Sequence, residues 1–279
     1  MHVVHAIKKK KIRKLELKII IAGCEKLFRE KMNSFCVLDP VIANQNTRRL
    51  CALAVMTKVP QAGHVKTRLV PPLTPGEAAE LNKCFLRDTA ASISRAASDN
   101  NACAIAVYTP VGCEAAYTDI LTIDFNLLPQ RGETFGERLY FAAEDLFKYG
   151  FESVCLIDSD SPTVPATSFS QAVVELAKLG DRVVLGPCDD GGYYLIGLKK
   201  LHRELFERID WSTGRVLDQT RQRAREIGLE IKLLPPGYDV DDGASLCRLC
   251  KELLADTVSA DIAPHTREFL RTLTAQKKL

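Results

Sequence analysis

Four segments of the chain carry side chains whose types and spacing could do chemistry. Asp158 and Asp160 stand two residues apart at the end of the apolar run 153–157. Two carboxylates so placed can meet one divalent cation, and hard oxygen ligands suit Mg²⁺ or Mn²⁺. The alternative is an Asp-Ser turn punctuated by Pro162. Capping a helix needs one acid, so the pair favours a metal. The apolar run 50–56 leads into a loop, 57–69, that holds Gly63 and three cations, Lys58, Lys66 and Arg68. Planar Arg and point-charge Lys suit phosphate oxygens. The loop is not a Walker A motif, in which Gly directly precedes the Lys, because His64 and Val65 separate Gly63 from Lys66. A phosphate site and a solvated cationic turn both stand open for it. In the third segment Asp189 and Asp190 precede Gly191 and Gly192. A Gly pair lets the backbone approach a ligand closely, but an Asp-Gly hairpin turn explains it equally well. The fourth segment, 238–242, contains Asp239, Asp241 and Asp242. Acids at a helix start favour the macrodipole, which accounts for Asp242. Asp239 and Asp241 could add metal ligands, since converging carboxylates repel one another unless a cation sits between them.

Other constellations carry less. The five His show no ligand spacing, so a His-based zinc site is not expected. The G-x-S-x-G signature is absent. Cys247 and Cys250 form a lone C-x-x-C in a helical pattern, which reads as structural thiols. Trp211, the only tryptophan, either lines a substrate pocket or packs.

These segments need elements to hold them. Apolar runs at 50–56, 102–108, 153–157, 182–186, 193–198 and 230–234 predict strands, and helical patterns fall near 75–97, 134–148, 166–179, 214–227 and 242–254. The first helix is well signalled: Thr74 is a capping residue, Pro75 takes the first helical position, and Glu77 follows three residues after the cap. Strand–helix alternation predicts a three-layer α/β domain with a mostly parallel sheet. In such sheets ligands bind beyond the carboxyl ends of the strands, where the segments above fall.

Composition sets limits on partners and location. The chain has 279 residues, 46% hydrophobic and 26% charged, with a net charge of +3. That excludes wholesale disorder and fibrous repeats. Residues 1–49 hold 12 Lys/Arg against 4 Asp/Glu, a balance of +8 that leaves −5 for the rest. An acidic body is a poor candidate for sequence-independent nucleic-acid binding. The longest apolar runs are about seven residues, far short of the roughly 20 of a bilayer span. Ten scattered cysteines, many within apolar runs, suit a reducing cytoplasm. Ahead of Cys24 a basic and an apolar stretch hint at a lipoprotein signal, but the apolar part falls short of the roughly 7–15 residues required. Residues 1–49 are therefore expected to be a poorly ordered basic leader, with Met32 as an alternative start. Residues 50–258 are expected to form the domain, and 259–279 a C-terminal helical tail.

Over roughly residues 52 to 250 the segments resemble a bacterial GT-A-type glycosyltransferase-like family in the nucleotide-diphospho-sugar transferase superfamily, of which one subset is linked to arsenosugar biosynthesis. The matching points are Lys58, Pro60, Gly63 and the run Val65 to Leu69, then Asp160 to Pro162, Gly186 to Gly197, Trp211 to Thr213, and Asp239 to Asp241. The resemblance implies a Rossmann-like α/β domain with a mixed, mostly parallel sheet. It places Lys66 and Arg68 in the nucleotide-phosphate region and Asp160 at the metal-associated acid. Asp158 stands where that family usually has Gly, so it is either a second ligand or an acid that crowds the site. The same loop also occurs in guanylyltransferases of deazaflavin cofactor synthesis.

The expected activity is metal-dependent glycosyl transfer from a nucleotide-diphosphate sugar to a small-molecule acceptor. Asp158, Asp160, Asp239 and Asp241 are the metal candidates. Lys58, Gly63, Lys66, Thr67 and Arg68 are the nucleotide candidates, with Lys66 and Arg68 also stabilising the leaving group. Asp190 is the acceptor-binding residue or base, and Gly191, Gly192, Tyr193 and Trp211 face the substrate. Nucleotidyl transfer, in which a phosphorylated small molecule attacks an NTP and pyrophosphate leaves, is the alternative. A non-catalytic nucleotide-sugar-binding protein is the third reading.

Overall fold

The computed structural model describes residues 35–255 and 257–276. A single sheet runs through the centre. Its eight strands are β1 (Cys36–Val37), β2 (Cys51–Lys58), β3 (Ala102–Thr109), β4 (Asn126–Pro129), β5 (Ser153–Ile157), β6 (Arg182–Pro187), β7 (Tyr193–Leu198) and β8 (Glu230–Leu233). They lie in the order β1-β4-β3-β2-β5-β7-β6-β8. Every pair is parallel except the two made by β7, which runs against β5 and β6. The sheet is mixed and mostly parallel, as the alternation predicts.

Six helices follow among the described residues: α1 (Pro75–Asp99), α2 (Phe135–Tyr149), α3 (Ala166–Ala177), α4 (Val216–Glu226), α5 (Gly243–Leu253) and α6 (Pro264–Ala275). The Thr74 capping box forms as expected: its hydroxyl accepts from the Glu77 N–H, and Glu77 accepts from the Thr74 N–H. Buried side chains gather in separate cores. Ala52 and Ala54 of β2 join Leu139, Ala143 and Leu146 of α2 and Ala224 of α4 in one core. On the opposite side Leu81 and Phe85 of α1, Leu246 and Leu249 of α5, and Leu270 and Leu273 of α6 form a second. None of the described helices is long and apolar enough to cross a membrane.

The domain extends beyond the limits expected from sequence at both ends. Of the leader expected over 1–49, residues 1–34 lie outside the described residues. The rest is folded: Cys36 and Val37 pair with Asn126 and Leu127, Leu38 is buried, and the Asn44 N–H donates to the Tyr149 carbonyl at 2.7 Å. At the other end α6 is no loose tail. Asp88, on α1 and 1% exposed, accepts from the backbone N–H groups of His265 and Thr266 at 3.1 and 2.8 Å and from His265 Nδ1 at 2.8 Å. It satisfies orphan donors at a helix start that has no side-chain cap of its own.

The topology positions the site. Because β2, β5, β6 and β8 run parallel, their carboxyl ends share one edge of the sheet. Because β7 runs the other way, its first residue lies at that edge too.

Candidate active site

The loop after β2 turns through Gly63, whose φ of +77° suits glycine and whose surroundings are open. Lys58 Nζ reaches back to the His64 carbonyl at 3.4 Å. Lys66 is held in the left-handed region at φ 48°, with its ammonium 4% exposed. It touches Asp241 at 2.7 Å, the Val240 carbonyl at 2.8 Å and Asp160 at 3.0 Å. Burial pulls its pKa down, but Asp160 and then Asp241 outweigh that, and the net shift is upward. Arg68 behaves differently: it is 74% exposed and only 4.0 Å from Asp241. Lys58, Lys66, Thr67 and Arg68 line a cleft of about 230 Å³ together with Asn82, Ser159, Asp160 and Asp241.

Backbone contacts bring the acid-bearing segments together. The Val240 N–H donates to the Asp160 carbonyl at 3.0 Å, tying the segment after β5 to the segment after β8. Burial raises the Asp158 carboxyl well above its ordinary range, with Asp160 and Asp239 adding to the effect, although the Ser161 hydroxyl donates to it at 2.8 Å. Asp239 is pushed up to about 6 by burial, then by Asp190 and Asp241. Asp190 accepts from the Gly192 N–H at 2.7 Å. One oxygen each of Asp190 and Asp239 and the Cys188 sulphur lie within 4.8 Å of one another. Arg68, Asp190, Asp239, Asp241 and Arg248 share a wider cleft of about 530 Å³ beside the first. Lys58, Lys66, Arg68 and Arg248 line the same clefts, but Lys66 is taken up by Asp160 and Asp241 and Arg248 by Asp189, so Asp190 and Asp239 keep oxygens without a side-chain cation among the described residues. The excess of negative oxygen donors fits a divalent cation.

The residues expected to face the substrate do not assemble there. Tyr193 is partly buried, its ring packs against the core that α2 and α4 share with the sheet, and it lines neither cleft. Trp211 packs edge-on against Phe135, with centroids 5.3 Å apart. It sits over Gly136, where a Cβ would come within 2.3 Å of the indole nitrogen. Gly191 has φ +87°, and a Cβ there would lie 2.1 Å from the Gly214 carbonyl oxygen, so its backbone approaches another loop and not a ligand. Gly192 serves Asp190 through its N–H. Lys66, expected on phosphate, is instead engaged by two carboxylates. Sequence reasoning missed Asn82, which lies mid-helix and comes within 3.4 Å of Asp160. It also missed Arg248, which stacks at 3.8 Å on Tyr238 and bonds Asp189 at 2.6 Å, and Cys188, whose signal was its place directly before the acid pair.

Residues 92–213 match a family described as an uncharacterized protein conserved in bacteria (DUF2064). No curated protein matches the chain. Among solved structures, the chain is similar to one from Desulfovibrio desulfuricans G20 whose assignment as a nucleotide-diphospho-sugar transferase is itself provisional. The identity is 29%, the TM-score 0.71, and the match covers 81% of this chain and 95% of that one. Looser likenesses include 4-diphosphocytidyl-2C-methyl-D-erythritol synthase from Anaerococcus prevotii (13% identity, TM-score 0.49, covering 76% and 100%) and a cytidylyltransferase from Leptospira borgpetersenii (10%, 0.45, covering 82% and 95%). At those scores they say nothing about the activity of this chain. The sheet order, the position of the cleft and the Desulfovibrio likeness together give the chain the nucleotide-diphospho-sugar transferase fold.

Proposed function

We propose that the protein transfers a glycosyl group from a nucleotide-diphosphate sugar to a small-molecule acceptor, with Mg²⁺ or Mn²⁺ as cofactor. The observation that carries this reading is the cleft itself: Lys58, Thr67 and Arg68 line it together with carboxylates at the carboxyl edge of the sheet. The Desulfovibrio likeness supports it. Asp190 and Asp239, with Asp158 and Asp160, would hold the cation, which when bound supplies positive charge to a diphosphate leaving group. Lys66 fixes Asp160 and Asp241 in place. Arg68 is exposed and its ion pair with Asp241 is long, at 4.0 Å, so it can turn to meet phosphate oxygens bidentately as charge develops on them.

The test offers the protein nucleotide-diphosphate sugars and NTPs, with and without Mn²⁺, and assays free nucleoside diphosphate and pyrophosphate. Release of nucleoside diphosphate from one sugar donor is expected. Arg68→Ala should lower that rate by about 10²-fold, the usual cost of one preorganised charge donor. Pyrophosphate from an NTP without nucleoside diphosphate from any sugar donor would replace this reading with nucleotidyl transfer. A ligand-induced rise in melting temperature with no product would make the protein a binding module.

A further inference from the structure

The acids of the cleft differ in what already occupies them. Lys66 engages Asp160 and Asp241 at 3.0 and 2.7 Å. Ser161 donates to Asp158, and Arg248 to Asp189. Asp190 accepts one backbone N–H through one oxygen, which leaves the other without a donor. Among the described residues, no side chain donates a hydrogen bond to Asp239.

Cys188 stands between these two less occupied carboxylates. It is 7% exposed. The Ser161 hydroxyl, which donates to Asp158 at 2.8 Å, also lies within reach of the Cys188 sulphur. Its backbone is fixed: the Cys188 N–H donates to the Gly192 carbonyl at 3.0 Å, and Cys188 bridges Gly237. The flanking bonds, Asp189 N–H to Gly237 carbonyl at 3.2 Å and Gly237 N–H to Pro187 carbonyl at 2.8 Å, lace the segment of Cys188 to the segment of Asp239. The three donor atoms already lie within 4.8 Å of one another. Donors about 2.0–2.3 Å from a tetrahedral ion stand about 3.3–3.8 Å apart, so small side-chain rotations close them on one ion.

We propose that Cys188, Asp190 and Asp239 form a divalent-cation site with a sulphur ligand, which favours a thiolate-accepting cation such as Zn²⁺ or Co²⁺ over Mg²⁺, with Mn²⁺ between them. The proposal deepens the reading of the cleft as a metal-dependent transferase site and rests on it. On binding, the thiol proton passes to solvent and the thiolate lone pair goes to the cation; nothing is oxidised or reduced. Mg²⁺ demands oxygen ligands and gains little from sulphur, whereas softer cations accept it.

The test uses the metal-stripped full chain. Co²⁺ and Cd²⁺ titrations are followed by near-ultraviolet thiolate-to-metal charge transfer, and Zn²⁺, Mn²⁺ and Mg²⁺ binding by calorimetry. The charge-transfer band should appear in the unmodified protein and in the Cys247→Ser/Cys250→Ser double variant, and be absent from Cys188→Ser and Cys188→Ala. Zn²⁺ affinity should fall by about 10–100-fold in both Cys188 variants, in the range for disturbed metal coordination, while Mg²⁺ affinity barely changes. Circular dichroism establishes that the variants are folded, and the Ala variant covers the case in which a buried Ser does not fold. Cation binding without a charge-transfer band, or a band that survives both Cys188 variants, overturns the sulphur ligand and leaves an oxygen-only site intact. No binding of any cation overturns the proposal together with the metal dependence it rests on.

Discussion

Lys66 shows how one residue's partners decide its role. A lysine in a cationic loop invites a phosphate, yet this one is buried, left-handed in its backbone, and locked between Asp160 and Asp241. Removing it leaves two carboxylates facing each other. A fully enclosed pair broken in this way costs about 3–5 kcal/mol, but Asp160 and Asp241 are 34% and 44% exposed, so we expect about 2 kcal/mol for Lys66→Met. A divalent cation replaces the lost charge, so the deficit should shrink in Mn²⁺ and be full in chelator. Asp239→Asn should do the reverse. It relieves repulsion from Asp190 and Asp241, so without metal the variant should melt above the parent, while the rise on adding cation should largely disappear. Melting curves of the three proteins in chelator and in Mn²⁺ check both. Equal metal-induced shifts would show that these residues do not share a cation site.

At the scale of elements, the loops at the carboxyl edge hold one another. The Gly191 carbonyl accepts from the Leu217 N–H at 2.8 Å, and its α-carbon abuts Gly214. Gly191→Ala adds a left-handed strain of about 1–2 kcal/mol to a clash with backbone, which cannot move aside as a side chain can. Gly63→Ala bears the same φ penalty with open space around it. The first should therefore melt lower than the second and displace Asp190, costing turnover beyond its stability loss; equal melting points would refute the loop contact. The elements themselves were largely legible in the sequence. β2, β5 and β7 are apolar runs, and the Thr74–Glu77 box marks the start of α1. β4 and β1 were not legible, since four residues with Asn and Pro at the ends, or two residues alone, give no periodic signal. The acids were legible because they sit at strand ends. The partners of Lys66, the inward turn of Tyr193 and the company of Cys188 depend on contacts between segments distant in sequence, which spacing does not encode.

The whole molecule divides its charge unevenly: of the +8 balance of residues 1–49, +7 falls on residues 1–34 and only +1 on residues 35–49. That second, nearly neutral stretch packs, because β1 extends the sheet beyond β4 and the turn at Gln45–Thr47 lies against the end of α2 through Asn44 and Tyr149. Compare a chain beginning at Phe35 with one beginning at Leu50. The shorter one loses the buried Leu38, worth about 1.5–3 kcal/mol, together with the ladder to Asn126 and Leu127. For a domain of this size each kcal/mol lowers the melting temperature by about 2–4 °C, so the shorter chain should melt several degrees lower. It also uncovers an edge of β4 that can pair with another copy, so it should aggregate on heating where the longer one does not. The clefts lie away from β1, on loops after β2, β5, β6 and β8. Ligand-induced shifts should therefore survive in the shorter chain even as its baseline falls. Loss of ligand response together with stability would mean that β1 supports the cleft and not only the far edge of the sheet.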